Sequence, residues 1–474
     1  MDNLKATSKR GQSANTLTAA VLLLLTLAIT LPPGALADPR SAASDGAGLP
    51  FELSGVSVGV AEYEDGPTGA TVIAFDHPVK AAVDVRGGAP GTINTDALRL
   101  GYDEPFVNAI TLAGGSSYGL SVATGVANAI KDKTPNAGAW DNVPTVLGAI
   151  IFDLGGRRYT TVSPDEALGR AALAAARRDR IPLGASGAGR FAMTGYYFDD
   201  MQHSGQGAAI RKSGAVKVLV VTIVNALGSV VDRSGRIVRC GAPGPAGCPL
   251  ASERLDARLA ELGARANADT ARTHAGLTAN TTITAVITNE ALPVSALQRL
   301  AVQVHNSMGR AIQPFGTEFD GDTLFAASTG EIPTADGLKP VDLGVLASET
   351  AWDAVLASQP PVPAKAPATR VALGSAEAMA LTGRFEFAPG ARATVGASGA
   401  SLWLESAGAE SVYLHDGVRI ALKPVGRDLF ELQTQRADVV RFERDGNGRV
   451  RGITLNPGPW PIRALRAPDD APAH

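Results

Sequence analysis

The stretch Asn280-Thr-Thr-Ile-Thr-Ala-Val-Ile-Thr288 is the segment from which the fold and the chemistry of this chain are best inferred. Its residues from Thr281 onward are rich in β-branched side chains, which predicts a strand. The stretch directly follows Ala275-Gly-Leu-Thr-Ala279, which has a loop-like sequence. Because a mobile tether that leads straight into a core strand is open to cleavage, Thr281 becomes a candidate for a new N-terminus.

Residues 55–356 around this stretch alternate between strand-like and helix-like patterns. Residues 216–224 form a nearly continuous β-branched run, which is typical of a central strand buried on both faces. Residues 107–113 predict another buried strand, and residues 297–312 predict a helix. We therefore expect a domain of mixed α/β class at residues 38–357.

The C-terminal part has a different sequence pattern. Residues 358–372 are rich in Pro and Ala, which predicts an extended, semi-rigid linker. Residues 373–474 contain short segments with the alternation of β-strands, and Asp445-Gly-Asn-Gly448 is a strong hairpin signal. These patterns predict a small all-β domain, either a meander or a barrel, that carries no catalytic constellation and whose role is unknown.

Residues 1–37 have the organisation of a cleavable signal peptide. Basic residues precede an apolar run at residues 17–31, and Ala35-Leu-Ala37 matches the small-x-small pattern of a signal peptidase site. The run is short for a membrane span, which needs about 20 residues, although a retained anchor is the alternative. Cleavage after Ala37 would give a mature protein without a membrane span that is periplasmic or secreted.

The composition argues against several classes of partner. A net charge of -3 and an aromatic content of 5% do not indicate a nucleic acid, an anionic membrane surface or a carbohydrate-stacking function. The two cysteines and six histidines have no zinc-site spacing, so no metal or organic cofactor is expected. Cys240 and Cys248 either form a small disulfide loop or remain unpaired thiols.

The first of three candidate sites combines Thr281 with Asp320-Gly-Asp322. A threonine hydroxyl needs a base within reach, and an N-terminal threonine supplies one, because its α-amino group has an ordinary pKa near 8. The two carboxylates could orient the Thr281 hydroxyl and amine. Asp-Gly-Asp is also typical of an ordinary turn, and Asn280-Thr-Thr282 is also an N-glycosylation pattern.

The second candidate is Gly115-Ser-Ser-Tyr-Gly119, a Gly-x-Ser-x-Gly sequence between a predicted strand and a predicted helix. Ser117 would then be the nucleophile of a serine hydrolase. The downstream histidines available for a triad are His203, His274 and His305. The third candidate, residues 184–195, is glycine-rich but lacks the spacing of phosphate- or dinucleotide-binding motifs. We interpret it as backbone that approaches a substrate or another strand.

Several short motifs follow one another in a characteristic order. They are Gly55-Val-Ser-Val-Gly59, Glu64-Asp-Gly-Pro-Thr-Gly-Ala-Thr-Val72, Asp84-Val-Arg-Gly-Gly88, Gly114-Gly-Ser-Ser-Tyr-Gly-Leu120, Gly205-Gln-Gly-Ala-Ala209, Asn280-Thr-Thr-Ile283, Gln313-Pro-Phe-Gly-Thr317, Asp320-Gly-Asp-Thr-Leu-Phe325 and Trp352-Asp-Ala-Val-Leu356. This order resembles the DmpA-type P1 peptidase family of self-cleaving aminopeptidases, and within it the nylon-oligomer (6-aminohexanoate oligomer) hydrolase branch. The resemblance covers about residues 50–357 and does not extend to the predicted β domain.

By this resemblance the first domain should be a four-layer αββα sandwich of the Ntn-hydrolase type. Thr281 matches the nucleophile, which is freed by cleavage of the Asn280–Thr281 bond. Asp320 and Asp322 match the paired acids that support it. Asn225 matches an asparagine whose amide donates to the oxyanion. The resemblance also implies a homo-oligomer of cleaved units and a small peptide or oligoamide substrate, and it gives the Gly-x-Ser-x-Gly segment a structural role.

One departure from the family pattern concerns the substrate pocket. Where the nylon-oligomer hydrolases have a lysine near the active site, this chain has Tyr196. A lysine could lower the pKa of the Thr281 amine or bind a substrate group, and a tyrosine would do neither in the same way. Tyr196 and Tyr118 are the pocket candidates, and the substrate is open among small peptides, β- or D-amino acid amides and ω-amino acid oligomers. The alternatives are a Ser117 hydrolase without chain cleavage and a non-catalytic secreted binding protein.

Overall fold

The computed structural model describes residues 40–41, 48–98, 106–135, 139–140, 142–154, 160–266, 280–361, 371–409, 414–432, 439–456 and 460–468. The predicted signal peptide, the loop-like stretch before Asn280 and most of the predicted linker lie outside these residues. Within the described part, no helix is both long enough and apolar enough to cross a membrane.

The N-terminal part combines strands and helices. The helices are α1 (Ser121–Lys133), α2 (Glu166–Ala174), α3 (Ala251–Ala266), α4 (Val294–Ser307) and α5 (Pro340–Ala357). The strands are β1 (Arg40–Ser41), β2 (Gly48–Pro50), β3 (Val56–Tyr63), β4 (Thr68–Val85), β5 (Thr92–Ile93), β6 (Phe106–Ala113), β7 (Val146–Ile150), β8 (Arg180–Pro182), β9 (Met193–Thr194), β10 (Gln202–His203), β11 (Gln206–Ser213), β12 (Val216–Asn225), β13 (Ser229–Val230), β14 (Thr281–Glu290), β15 (Ile312–Gln313) and β16 (Thr323–Ile332).

The long strand β4 belongs to both halves of one bent sheet. The strand order is β11-β12-β14-β16-β4-β6-β7-β5, with β3 also paired to β4. The last residues of β4 pair with β16, whereas its first residues pair with β3 and β6. The register of the β4–β6 pairing shifts between Ala74 and Val79. Such an irregularity bends a strand, which lets one strand serve two sheet halves.

Three hydrophobic cores separate four layers. The inner core contains Ile110 and Leu112 from one sheet half and Ile283 and Phe325 from the other. One outer core packs α4 and α5 against β12, β14 and β16. The other outer core packs α1 and α2 against β3, β4, β6 and β7. The order is helix, sheet, sheet, helix, so the predicted αββα class is confirmed.

Strand β14 lies in the interior of its sheet half. It is antiparallel to β12 and parallel to β16, and all of its residues are buried. Ile283 and Ile287 contribute to the inner core, whereas Val286 packs with the helices of the outer layer. Burial on both faces is the environment that favours β-branched side chains, and the predicted strand is confirmed.

The C-terminal part is a closed β-barrel in which each strand pairs with the next along the chain. Helix α6 (Ser375–Leu381) precedes the strands β17 (Gly383–Ala388), β18 (Ala391–Ser398), β19 (Ser401–Ala407), β20 (Arg419–Gly426), β21 (Leu429–Leu432), β22 (Val439–Arg444), β23 (Val450–Leu455) and β24 (Ile462–Arg466). Phe385 and Phe430 are buried in the barrel, whereas Glu386 beside Phe385 is exposed. The predicted all-β domain is confirmed, in its barrel form.

Helix α4 differs from the helix predicted at residues 297–312. It begins at Val294, directly after Pro293, and it ends at Ser307. A 3-10 turn at Met308–Arg310 and the short strand β15 follow, so the apolar residues after Ser307 belong to other elements. The predicted helix end was too late because apolar residues with helical spacing continue beyond Ser307, where the helix ends.

A disulfide joins Cys240 and Cys248. Of the two alternatives that the spacing left open, the structure therefore has the closed loop. Cys248 is buried with Ile237 and Ala251 in a small cluster at the start of α3. The disulfide loop thus packs against the start of α3.

Candidate active site

Thr281 is the first residue of β14, and its side chain is buried. Its Oγ1 donates a hydrogen bond to the carbonyl oxygen of Asn280 over a distance of 2.5 Å. Only 3% of the Thr281 surface is exposed. The predicted nucleophile therefore lies against the peptide group that it is predicted to attack.

Gly321 contacts the same peptide group from the neighbouring chain segment. Its backbone N–H donates to the Asn280 carbonyl oxygen over 2.7 Å, and the Asn280 N–H donates to Phe319. A Cβ atom at position 321 would lie 2.7 Å from the Ala89 carbonyl oxygen and 2.8 Å from Thr281 Oγ1. Only glycine fits this close approach. The sequence interpretation missed this residue, because Asp-Gly-Asp resembles an ordinary turn; the glycine itself was the available signal.

Asp322 is fully buried and holds the backbone next to Thr281. Its Oδ1 accepts the N–H of Thr282 over 2.6 Å, and its Oδ2 accepts the N–H of Gly316 over 3.0 Å. Burial raises the pKa of Asp322 well above its ordinary value, and the negative charge of Asp320 raises this pKa further. Backbone donors oppose this shift without cancelling it.

Asp320 lies beside Asn280 in a parallel bridge. Its carboxylate accepts hydrogen bonds from the hydroxyl and backbone N–H of Thr317 and from the N–H of Leu227. Burial raises the pKa of Asp320, and the Thr317 and Leu227 donors oppose that rise. The two raised pKa values mean that this acid pair can keep a proton at a higher pH than ordinary aspartates.

Asn225 is the direct neighbour of Thr281 in the β12–β14 ladder. Residues that face each other in an antiparallel pair have side chains on the same face of the sheet. The Asn225 Oδ1 accepts the N–H of Met193 over 3.1 Å, and its Nδ2 donates to the carbonyl oxygen of Phe152 over 3.2 Å. These contacts fix the orientation of the carboxamide beside Thr281.

Ser117 has different surroundings. It lies in a 3-10 turn at Ser116–Leu120 and is exposed. Two of the histidines proposed for a triad are engaged elsewhere: His203 stacks on Trp460, and Nδ1 of His305 lies 2.9 Å from Asp84. The third, His274, lies outside the described residues. The contacts of His203 and His305 therefore do not support the serine hydrolase alternative.

The glycine-rich segment at residues 184–195 packs against strands, as interpreted from the sequence. A Cβ at Gly187 would lie 2.4 Å from the Thr71 hydroxyl, and one at Gly189 would lie 2.2 Å from the Gln206 nitrogen. The N–H of Gly187 donates to the buried carboxylate of Glu62. The glycines therefore permit close backbone packing against β4 and β11.

The two candidate pocket tyrosines lie in different environments. Tyr196 is half-buried in a 3-10 turn, and its hydroxyl lies 4.0 Å from the sulfur of Met193. Since the Met193 N–H holds Asn225, Tyr196 is part of the surroundings of the site. Tyr118 is 69% exposed in the turn that contains Ser117. Their roles in a substrate pocket remain predictions.

Asp84, Arg86 and His305 form a cluster near the acid pair, in which Asp84 and His305 are buried and Arg86 is exposed. The Asp84 carboxylate accepts from Arg86 Nε over 2.6 Å and lies 2.9 Å from Nδ1 of His305. Burial lowers the pKa of His305, and Asp84 opposes that effect. Burial alone would raise the pKa of Asp84, but hydrogen bonds from His305 and Arg86 keep it below its ordinary value.

This cluster reaches Asp322 through the backbone. The N–H of Arg86 donates to the carbonyl oxygen of Asp322 over 3.0 Å. The ring of His305 contacts Phe315, which precedes the Gly316 that holds the Asp322 carboxylate. The cluster was missed because His305 lies far along the sequence from Asp84 and Arg86. Among the described residues, no group of three or more His, Cys, Asp or Glu side chains is arranged to hold a metal ion.

Part of this chain is similar in sequence to known proteins. The chain is 42% identical to the 6-aminohexanoate-oligomer endohydrolase of Paenarthrobacter ureafaciens over 318 residues, which is 65% of this chain and 85% of that protein. It is 43% identical to the enzyme of the same name from Kocuria sp. (strain KY2) over 65% of this chain and 85% of that protein. A Burkholderia sp. beta-aminopeptidase structure covers 66% of this chain and 88% of its own, with 19% identity and a TM-score of 0.46.

The family model of peptidase family S58 matches residues 51–384. This range contains every residue of the candidate site and ends where the barrel begins. The predicted DmpA-type membership is thereby confirmed, and with it the prediction of a peptidase or amidohydrolase. The chain belongs to peptidase family S58.

Proposed function

We propose that this protein is a self-processing amide hydrolase whose nucleophile is Thr281, freed when the Asn280–Thr281 bond breaks. One observation carries the proposal. The carbonyl oxygen of Asn280 accepts hydrogen bonds from both the Thr281 hydroxyl and the Gly321 N–H. A nucleophile and a fixed backbone donor therefore meet at one peptide bond, as an acyl transfer requires.

The processing step follows from this arrangement. Oγ1 of Thr281 attacks the carbonyl carbon of Asn280, and the resulting oxyanion keeps its hydrogen bond from the Gly321 N–H. The C–N bond breaks, the hydroxyl proton goes to the Thr281 nitrogen, and an ester joins Asn280 to Thr281 Oγ1. Water then hydrolyses this ester to give the Asn280 carboxylate and a free N-terminal Thr281.

Substrate turnover uses the same nucleophile with a new base. The α-amino group of Thr281 accepts the hydroxyl proton while Oγ1 attacks the substrate amide, and it returns a proton to the leaving amine. The Asn225 carboxamide donates to the substrate oxyanion. Asp320 and Asp322 hold the start of β14 and orient the Thr281 amine. Water hydrolyses the acyl-Thr281 ester and completes the cycle.

The cleaved fragments should remain together. Strand β14 pairs with β12 from the long fragment and with β16 from the short fragment, and both of its faces are buried. Separation would expose these apolar faces to water. We propose that the active form is a homo-oligomer of such cleaved units, exported after removal of residues 1–37.

The substrate class that fits best is a short peptide or oligoamide. Two relatives are named for their action on 6-aminohexanoate oligomers, whose units are joined by amide bonds. At the position where the family resemblance expects a lysine, this chain has the half-buried Tyr196. The natural substrate is therefore expected to differ in the group that contacts this position.

Mass spectrometry of the acyl intermediate tests the proposal. The processed protein is mixed with 6-aminohexanoate oligomers or short peptide amides and quenched in acid within one turnover. The expected product is an acyl group on the fragment that begins with Thr281. Thr281→Ser should keep this acylation, because serine also carries a hydroxyl. An acyl group on the other fragment, at Ser117, would contradict the mechanism.

A further inference from the structure

The barrel contacts the catalytic part of the chain through a stacked pair of rings. His203 in β10 and Trp460 before β24 stack with a centroid distance of 3.7 Å and an interplanar angle of 3°. Phe191 and His203 make an edge-to-face contact with a centroid distance of 5.5 Å. Phe191 and Met193 belong to the same hydrophobic cluster as the interior of the barrel. The barrel thus continues into the segment at residues 191–203.

This segment leads directly to the nucleophile. His203 pairs with Met193 in the β9–β10 ladder. The N–H of Met193 donates to Oδ1 of Asn225, and Asn225 pairs with Thr281. Four contacts therefore connect Trp460 to Thr281. The contact between Met193 and Asn225 fixes the carboxamide of Asn225.

A second route connects the same segment with the acid pair. The N–H of Tyr197 donates to the carbonyl oxygen of Leu227 over 3.0 Å. The N–H of Leu227 donates in turn to Oδ1 of Asp320 over 3.2 Å. This second route begins at Tyr197, which is not part of the ring stack, so loosening the stack should disturb the first route, through Met193.

We propose that the barrel positions the active site, and that Trp460 and His203 are positioning residues for amide turnover. The stack fixes Met193, and Met193 aims the Asn225 carboxamide at the substrate oxyanion. This inference rests on the proposed function, in which Asn225 is an oxyanion donor. It assigns a role to a domain that begins where the S58 family match ends.

The two reactions of the protein should depend on the barrel to different degrees. In processing, the Gly321 N–H holds the Asn280 oxyanion. Gly321 is not part of the route that connects Trp460 to Asn225 through Met193. In turnover, the oxyanion is held by Asn225, whose orientation depends on Met193. Loosening the stack should therefore slow turnover and spare processing, whereas general misfolding would impair both.

The test compares Trp460→Leu with Trp460→Phe in the full chain. Leucine removes the stacked ring, whereas phenylalanine keeps one. The indole N–H of Trp460 has no hydrogen-bond partner among the described residues, so phenylalanine loses no bond that the structure describes. The matched control is Trp403→Leu, because Trp403 packs on Gly396 and Arg419 within the barrel itself.

Trp460→Leu should process fully but show kcat about 10-fold lower, a partial loss compared with the roughly 100-fold typical of a deleted oxyanion donor. KM should change little. Trp460→Phe should restore most of kcat, and Trp403→Leu should match the unmodified protein. In an Asn225→Ala background, Trp460→Leu should have no further effect on kcat.

Two results would overturn the inference. One is an unchanged kcat in a fully processed Trp460→Leu variant; the other is a loss of kcat that adds in full to that of Asn225→Ala. Failure of the proposed function looks different, since the unmodified protein itself would then lack cleavage before Thr281.

Discussion

The catalytic part and the barrel are both rich in β-structure, but they bury different kinds of side chain. In β14 all residues are buried, including four threonines, and the acid pair and Asn225 are buried beside them. In the described barrel strands, buried and exposed residues alternate, and the buried polar side chains are Ser406 and Thr454. Buried polar groups cost free energy unless each is hydrogen-bonded, so their concentration in one region marks where function constrains the fold.

Glycine-to-alanine substitutions should separate the two regions most strongly. Gly321→Ala places a Cβ against the Thr281 hydroxyl and the Ala89 carbonyl, so it should slow processing at least about 100-fold, as a displacement near 1 Å can. Gly446→Ala in the barrel hairpin meets open space and should process normally. The fraction of cleaved chain on a denaturing gel measures both. Normal processing in Gly321→Ala would show that the close approach is unimportant.

The acid pair lies in the catalytic part, and its raised pKa values should make the rate of processing depend on pH. Burial and the charge of Asp320 raise the pKa of Asp322, so processing should slow on acidification above the ordinary range of aspartate titration. Asp320→Asn removes that charge and should shift this acid limb to lower pH, while the rate at neutral pH falls about 10-fold or more.

The rate of processing is measured on uncleaved precursor from cell-free synthesis, incubated between about pH 4 and pH 8. The unmodified protein is compared with Asp320→Asn. Asp342→Asn serves as the control, since Asp342 is exposed on α5. An acid limb that stays in place or moves to higher pH in Asp320→Asn would contradict the coupling of the two carboxylates.

A smaller difference between the two regions should appear in how the free energy of unfolding depends on pH. Burial lowers the pKa of His305, so the unfolded chain binds a proton more readily than the folded chain. The stabilisation from neutral His305 is therefore present above the ordinary histidine pKa and is lost as the pH falls. The lowered pKa of Asp84 acts in the same direction at lower pH.

Thermal unfolding near pH 7.5 and pH 5.5 should thus show a smaller loss of stability on acidification in His305→Gln than in the unmodified protein. The barrel supplies the control, because His415 is exposed and its replacement by glutamine should leave the pH dependence unchanged. Equal pH dependence in His305→Gln and the unmodified protein would argue against a buried neutral His305.

The sequence predicted the features that depend on local pattern. The β-branched residues of β14 identified a core strand, and the alternation after residue 373 identified the β domain. It did not predict contacts that bring distant segments together. No local pattern pairs Asp84 with His305, and the stack of His203 on Trp460 depends on how the barrel packs against residues 191–203. Gly321 carried a signal, but its meaning depends on the approach of Thr281, which only the folded chain shows.

The most direct test of the central claim is a denaturing gel of the purified protein with N-terminal sequencing, beside Thr281→Ala and Thr282→Ala. We predict two fragments for the unmodified protein, the shorter beginning Thr-Thr-Ile-Thr. Thr281→Ala should remain intact, whereas Thr282→Ala, which keeps the proposed nucleophile, should be cleaved. A single intact chain that still hydrolyses amides, or cleavage at the same bond in Thr281→Ala, would contradict the self-processing mechanism.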